Sequence, residues 1–268
     1  MSTFPPSSPY PGNQYGSPYG NQFGSQPGGQ FGNPYGAPNG GLPMRPSYPG
    51  QPTQPNHPRQ KTRRSQMRLG LTYAVGYVVL IWAVHIINVF LFGGTLTAFG
   101  IHPLDVSSLP YIFTSPILHV NFEHLMSNTV PGAIFAFLIG YSGSRVFWEV
   151  TAFVVALGGV GVWFFGGLGT NHIGASMLVY GWLGYLLVRG IFNRSASQIV
   201  LGVVLGLSYS GLVWGVLPLT PGVSWQAHLF GALGGIAAGV IITSDDPPAL
   251  AAKKQQKKAL KQSSQRMR

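Results

Sequence analysis

The sequence predicts an all-α polytopic membrane protein, a bundle of six transmembrane helices that follows a long polar tail. Hydrophobic residues make up 46% of the 268 residues and charged residues only 8%, a balance typical of membrane-embedded chains. The charged residues are bunched rather than spread along the chain. From Leu69 onward, the uncharged runs approach about 20 residues, the length that an α-helix needs to cross the hydrocarbon core.

The two ends of the chain differ in composition from its middle. Residues 1–60 are built mainly from Tyr, Gly, Pro, Gln, Asn and Ser in loose repeats. They offer few aliphatic side chains for a core, so we expect a disordered cytoplasmic tail. No apolar segment follows a basic start, so we do not expect a cleaved signal peptide. Residues 61–68 form a basic juxtamembrane segment, and residues 245–268 form a basic cytoplasmic C-terminal tail.

The membrane domain is predicted at residues 69–244, with every lysine and arginine on one side of the membrane. Basic loops favour the cytoplasmic side. A count of six spans places Arg145, Arg189, Arg194 and both tails on that side, so both termini are predicted to be cytoplasmic. The six predicted spans are 69–92, 122–141, 146–165, 175–188, 199–217 and 225–243.

Composition also argues against several other classes of protein. The sequence contains no cysteine, so disulfides and thiolate chemistry are excluded. The net charge of +11 fits loops that face an anionic inner leaflet, so the expected partner is the lipid bilayer and not nucleic acid. A zinc site is disfavoured because the chain lacks a His-Glu-x-x-His helix, and we expect no metal or cofactor. The histidines considered for that site are His119, His124, His172 and His228.

Polar side chains from three predicted spans fall at one depth near the outer surface. His124 and Asn128 share one face of the second span because they are four residues apart. Ser176 and His228 lie in the first turns of the fourth and sixth spans. The fourth span, at about 21 Å, is shorter than the hydrocarbon core, which predicts a recessed Ser176 below a hydrated cavity. Polar groups at such depth need partners or water, so we expect all four to converge.

Two stripes of small residues predict how the fourth and sixth helices meet. Small residues at helical spacing let two backbones approach closely. If the stripes face each other, Ser176 and His228 come within hydrogen-bonding reach as a nucleophile and its general base. Tyr180 lies one turn below and is expected to pack against the imidazole. The glycines of the two stripes are Gly184 on the fourth span and Gly231, Gly235 and Gly239 on the sixth.

Three motifs in this order resemble the rhomboid family of intramembrane serine proteases. The resemblance covers residues 69–244 and implies a compact six-helix fold of the bacterial type, in a plasma membrane, with the active site toward the outer face. It assigns Ser176 as the nucleophile and His228 as the base, with no cofactor. The motifs are His119-x4-His124-x3-Asn128, then Gly174-Ala-Ser176 followed by Tyr180 and Gly184, then Ala227-His228 with Gly231 and Gly235.

The resemblance also implies roles for the residues around the pair. Donors aimed at a developing oxyanion stabilise it, and the family pattern gives this task to His124 and Asn128. His119 is expected to brace the first outer loop. Two departures stand out: Met177 replaces the usual glycine after the nucleophile, and the Trp-Arg pair of the first outer loop is replaced near Pro110. Met177 places a bulkier side chain beside the oxyanion-forming backbone, which leaves room for altered specificity or a weak enzyme.

The predicted function is cleavage of a transmembrane substrate near the outer face of the membrane. Ser176 attacks the carbonyl, His228 transfers the proton, and water resolves the acyl-enzyme. Substrates are expected to carry helix-destabilising residues, because a helix must unwind to offer its carbonyl. The alternative is a proteolytically weak or inactive rhomboid-like protein that binds or escorts membrane helices. A transporter is less consistent with polar groups that cluster toward one face rather than the midplane.

Other polar residues are expected to be structural. His85 and Asn88 are expected to pack between helices or to bind water. His172 is expected to be exposed or to lie at the interface. Arg145 and Glu149, four residues apart near the inner end of the third span, are expected to form a local ion pair.

Overall fold

The computed structural model describes residues 63–266, which are helical throughout apart from their connections. The predicted disordered tail 1–60 lies outside the described residues. Within residues 63–266, four short 3₁₀ helices join the longer helices, at Thr95–Phe99, Val106–Ile112, Ser115–Ile117 and Ser210–Val216. The seven α-helices of this described part are α1 Arg63–Phe92, α2 Phe122–Ser142, α3 Ser144–Phe165, α4 Ser176–Asn193, α5 Ala196–Ser208, α6 Trp225–Ile241 and α7 Pro248–Arg266.

The all-helical class is confirmed for the described residues, whereas the count of six spans stays a prediction. By length and composition, α1, α2 and α3 could each cross a membrane. A fourth candidate arises if α5 and the 3₁₀ segment Ser210–Val216 are counted as one span. At 17 residues, α6 is an apolar helix of shorter length.

The fifth span was predicted as one continuous helix, which is wrong. The chain bends by 69° between α5 and Ser210–Val216, which we call the bent segment. Tyr209 at the junction leaves helical geometry, with φ −112° and ψ 21°. Ser210 and Gly211 follow it, and serine and glycine hold a helix less well than alanine or leucine. The apolar pattern of 199–217 concealed this break.

The fourth span was predicted to end too early. Helix α4 continues through Arg189 to Asn193 and has 18 residues. At about 27 Å it is longer than predicted but still shorter than the hydrocarbon core of about 30 Å. The added turn contains Arg189, which is 2% exposed rather than free at the interface. Its guanidinium pairs with the carboxylates of Asp245 and Asp246, so this charge is neutralised inside the bundle.

Helix α4 lies at the centre of the bundle, where it packs against α2, α3, α5 and α6. The close approach of α4 and α6 expected from their small residues is present. A Cβ at Gly235 would overlap the carbonyl oxygen of Gly181, and a Cβ at Gly231 would overlap that of Met177. Only glycine leaves room for this packing, so the two helix backbones are in direct contact.

Side-chain caps fix the first turns of α2 and α6. Asn121 Oδ1 accepts from the His124 backbone N–H at 2.8 Å, and Ser224 Oγ accepts from Ala227 N–H at 3.3 Å. Such caps satisfy backbone donors that the helix itself leaves unpaired. The helices that carry His124 and His228 therefore begin at defined residues on the same side of the bundle as Ser176.

Candidate active site

The predicted site residues converge on one cavity. A cavity of about 700 Å³ opens at the end of the bundle where α2, α4 and α6 begin. Its walls come from three helices that are far apart in sequence, and the loops that precede these helices, together with Thr97 and Leu212, contribute the rest. The predicted residues that line it are His124, Asn128, Ser176, Tyr180 and His228.

Ser176 is the first residue of α4 and is 9% exposed. The backbone before it is held by Gly174, whose φ of +125° is a conformation that other residues rarely adopt. A Cβ at Gly174 would also collide with the ring of His124. Glycine is therefore needed at this position for two reasons. Its backbone makes the turn into α4, and its missing side chain leaves room for the ring of His124.

The ring of His228 is held from two sides. It stacks on the ring of Tyr180 with centroids 4.0 Å apart and planes inclined by 6°, as the sequence predicted. Its Nδ1 lies 2.8 Å from the carbonyl oxygen of Gly215 in the bent segment. A carbonyl can only accept, so Nδ1 carries the proton and Nε2 keeps its lone pair. The atom that could accept a proton from a serine is therefore free.

Ser176 and His228 share the cavity wall, but no hydrogen bond joins their side chains in the described structure. Catalytic hydrogen bonds are often long in enzymes without substrate and tighten when it binds. The Ser-His dyad therefore stays a prediction. The roles predicted for the surrounding residues also stay predictions.

His124 and Asn128 face the same cavity from α2. Asn128 is 4% exposed, and its Nδ2 donates to the His124 carbonyl oxygen at 2.8 Å. A primary amide has two N–H groups, so this bond leaves one for another acceptor. The Tyr77 hydroxyl donates to the Asn128 carbonyl at 3.0 Å and holds that turn of α2. The arrangement can present a fixed neutral donor to the cavity.

His119 connects the loop before α2 with the start of α4. Its ring is 1% exposed, and its Nε2 accepts from the Ala175 backbone N–H at 3.4 Å. The ring also meets the ring of His124 edge to face, with centroids 5.2 Å apart. Burial, with a smaller effect from the neighbouring histidines, lowers the pKa of His119 to about 3. A neutral imidazole at this point can brace the loop against the residue before Ser176.

His172 was expected to be exposed or interfacial, and exposure is wrong, because the residue is 7% exposed. Its Nδ1 lies 2.6 Å from Ser224 Oγ, the cap of α6. Its Nε2 lies 2.7 Å from Thr170 Oγ1 and 3.1 Å from the Gly166 carbonyl. His172 also pairs with Ile101 through backbone hydrogen bonds of 3.0 Å, across a loop distant in sequence. It therefore ties the connection before α4 to the start of α6.

The side chain of Met177 does not crowd the candidate site. Its side chain is 2% exposed and does not line the cavity. It packs against α3, where a Cβ at Gly158 would lie 2.6 Å from Met177 Sδ. Gly158 therefore provides the space that the methionine fills. A residue-by-residue comparison with the family pattern cannot detect this compensation, because it needs the contact between α3 and α4.

Sequence reasoning missed two residues that hold the site, Gly215 and His172. Gly215 lies in a run that resembles an ordinary span, and nothing in its spacing connects it to His228.

The histidines were also considered as ligands of a metal ion. Among residues 63–266, no group of three or more His, Asp or Glu side chains is arranged to hold a metal ion.

Comparisons with known proteins agree with this architecture. Uncharacterized proteins of Mycobacterium bovis and Mycobacterium tuberculosis are each 40% identical over 187 residues, covering 67% of this chain and 78% of theirs. An uncharacterized protein of Mycobacterium leprae is 38% identical over 188 residues, covering 67% of this chain and 74% of its own. The family model of the rhomboid domain matches residues 107–245, which contain every candidate site residue. The chain therefore belongs to the rhomboid family, whose members are generally intramembrane serine proteases.

Proposed function

We propose that this protein is an intramembrane serine endopeptidase with Ser176 as nucleophile and His228 as general base. The observation that carries the proposal is the cavity in which both residues meet His124 and Asn128. A family fold alone would not support an activity, because function depends on the site. Here the site has a serine at a helix start and an imidazole whose unprotonated nitrogen is free.

The reaction follows from these groups. Ser176 Oγ attacks the substrate carbonyl while His228 Nε2 takes its proton, and the same proton then passes to the leaving amine. The tetrahedral oxyanion is stabilised by donors from His124 and Asn128, typically worth a few kcal/mol each in a water-poor site. Water entering the cavity then hydrolyses the acyl-enzyme. No metal or cofactor takes part in this scheme.

We propose six membrane spans with both termini in the cytoplasm and the cavity toward the outer face. This makes the protein an integral membrane protein, placed in the plasma membrane of a bacterium. The opposite ends of the bundle support this orientation. The cavity opens where α2, α4 and α6 begin, whereas Arg145 and Arg194 lie at the far ends of α3 and α4. A basic helix, α7, also follows α6 at that far end.

The substrates in this proposal are transmembrane proteins with helix-destabilising residues near the outer surface. The hydrogen-bonded backbone of a helix hides its carbonyls, so a scissile bond must leave helical structure before Ser176 can reach it. Glycine or proline near the cleavage site lowers the cost of that step.

The test is cleavage of a single-span reporter by the purified protein in liposomes. Ser176→Ala and His228→Ala should each lower the rate by at least about 1000-fold, and a fluorophosphonate probe should label the wild type but not Ser176→Ala. Ser263→Ala is the matched control, because its hydroxyl lies on α7 and bonds only within that helix. Cleavage that persists in Ser176→Ala would refute the proposal.

The second candidate function is an inactive rhomboid-like protein that binds or escorts membrane helices. It is favoured by the absence of a hydrogen bond between the Ser176 and His228 side chains in the described structure. If the wild type neither reacts with the fluorophosphonate probe nor cleaves the reporter, yet co-purifies with single-span proteins from liposomes, this function replaces the first.

A further inference from the structure

In a Ser-His-Asp triad, a carboxylate orients the histidine through its Nδ1. In this protein the partner of His228 Nδ1 is a backbone carbonyl, that of Gly215, at 2.8 Å. Gly215 belongs to the bent segment, and this segment packs against α6. The group that orients the candidate base therefore comes from a neighbouring helix whose path departs by 69° from α5.

We propose that Gly215 is a positioning residue for His228: its carbonyl fixes the tautomer with a free Nε2, and its missing Cβ makes room for the Tyr180–His228 stack. This inference rests on the proposed function and extends it. It assigns a task to the fifth span, for which sequence reasoning found none.

Space, and not backbone conformation, explains the glycine. Gly215 is not among the described glycines with positive φ, so another residue could adopt its backbone angles. A Cβ there, however, would overlap the hydroxyl of Tyr180 and lie 3.0 Å from His228 Nδ1. Tyr180 could move only by giving up its stacked position on the imidazole. An alanine at 215 would therefore displace the stack, the carbonyl or both.

Pro218 explains why the Gly215 carbonyl is free to bind a side chain. In a 3₁₀ helix each carbonyl accepts from the N–H three residues ahead, and for Gly215 that residue is Pro218, which has no N–H. The next candidate donor, Leu219 N–H, binds the Leu217 carbonyl at 2.8 Å. The preceding carbonyl, that of Trp214, is occupied by Leu217 N–H at 3.2 Å. The proline therefore leaves this one carbonyl available to His228.

The experiment compares Gly215→Ala with Gly211→Ala. Gly211 lies in the same bent segment, and a Cβ there meets nothing within 4 Å, so it controls for the general effect of alanine. The readouts are the rate of fluorophosphonate labelling, which needs no substrate binding, and kcat and KM for the reporter. We expect Gly215→Ala to lower the labelling rate and kcat about 100-fold, the lower end of what a positioned base contributes, with little change in KM. Equal labelling by the two variants would overturn the inference.

A double variant gives a signature that simple misfolding does not. Tyr180→Phe removes the hydroxyl that a Cβ at 215 would overlap, while it keeps a ring to stack on His228. The loss of labelling rate that Gly215→Ala causes should therefore be about tenfold smaller in the Tyr180→Phe background than in the wild type. The reference for the double variant is Tyr180→Phe alone. No recovery would overturn the steric part of the inference.

A spectroscopic measurement decides the question even if Gly215→Ala does not fold. In ¹⁵N-histidine spectra of the wild type, with the His228 signals assigned by their loss in His228→Ala, Nδ1 should appear protonated and Nε2 unprotonated. The opposite tautomer would overturn the inference. A folded wild type with the expected tautomer but no labelling would refute the proposed protease while supporting the role of Gly215. The two failures are therefore distinguishable.

Discussion

The two ends of α4 treat their polar groups in opposite ways. At its start, Ser176 faces a cavity and leaves its hydroxyl without a partner among the described residues. At its other end, Arg189 donates to Asp245, Asp246 and the Gly239 carbonyl, the last at 2.9 Å. The Tyr185 hydroxyl also donates to Asp245, at 2.8 Å. The Ser176 hydroxyl is unpaired at the first end, whereas the buried charge of Arg189 is paired at the second.

This difference suggests a division of labour along one helix. A buried charge is tolerated only when it is paired and hydrogen-bonded, so the Arg189 cluster can join α4 to the segment after α6. The joined helices then hold Ser176 and His228 at the opposite end. Substitutions at the two ends should therefore separate stability from activity.

The largest effect on stability is expected at Arg189. Arg189→Met leaves the carboxylates of Asp245 and Asp246 without their guanidinium, and breaking a buried pair in this way costs about 3–5 kcal/mol. The free energy of unfolding in detergent micelles should fall by that amount, while fluorophosphonate labelling per folded molecule persists. Arg194→Met is the control, because Arg194 is exposed at the end of the same helix. Equal stability of the two variants would remove the distinction between the two ends.

The next effect concerns Met177, which lies at the cavity end of α4 but packs as a core residue. Met177→Ala should lower the free energy of unfolding by about 2–4 kcal/mol, as for other buried methionines, and should not raise the cleavage rate. Met126→Ala, on the exposed side of α2, serves as control. Faster cleavage at unchanged stability would show instead that Met177 limits turnover.

A smaller loss is expected between the two ends, where α4 and α6 touch. Gly235→Ala places a Cβ on the Gly181 carbonyl, and overpacking of this kind costs about 1–3 kcal/mol. Because the contact lies between the two ends of α4, the unfolding temperature and the rate of fluorophosphonate labelling should fall together. Gly76→Ala on α1, where a Cβ meets nothing within 4 Å, should change neither. Loss of activity without loss of stability would mean that the interface only aligns the site.

Sequence reasoning found the residues of the candidate site because only a few residue types can perform the proposed chemistry. The meeting of Ser176, His228, His124 and Asn128 could be predicted from the depth of each in an apolar span and from helical spacing. The partners of these residues could not be predicted in the same way. Gly215 acts through a backbone carbonyl, which every residue has, so its identity carries no chemical signal. His172 is buried only because loops distant in sequence fold over it.

The same limit applies to the far end of α4. The sequence predicts Arg189 at the cytoplasmic end of the fourth span, because a positive charge near the end of an apolar run indicates the cytoplasmic side. Its burial depends on Asp245 and Asp246, which composition places in a solvated tail. The bend in the fifth span could not be predicted either, because hydropathy measures how apolar a run is and not whether its backbone is straight.

The smallest effect is the acid sensitivity of the loops at the cavity end of the bundle. Burial lowers the pKa of His119 and His172 below the ordinary value of about 6.5. The unfolded chain then binds more protons than the folded one, so their contribution to stability is complete above about pH 6.5 and declines as the pH falls below it. The slope is at most about 1.4 kcal/mol per pH unit for each histidine. Thermal unfolding between pH 7 and 5 should show this decline, and His172→Asn should make it shallower. An unchanged slope in His172→Asn would mean that this ring is protonated or solvated in the folded protein.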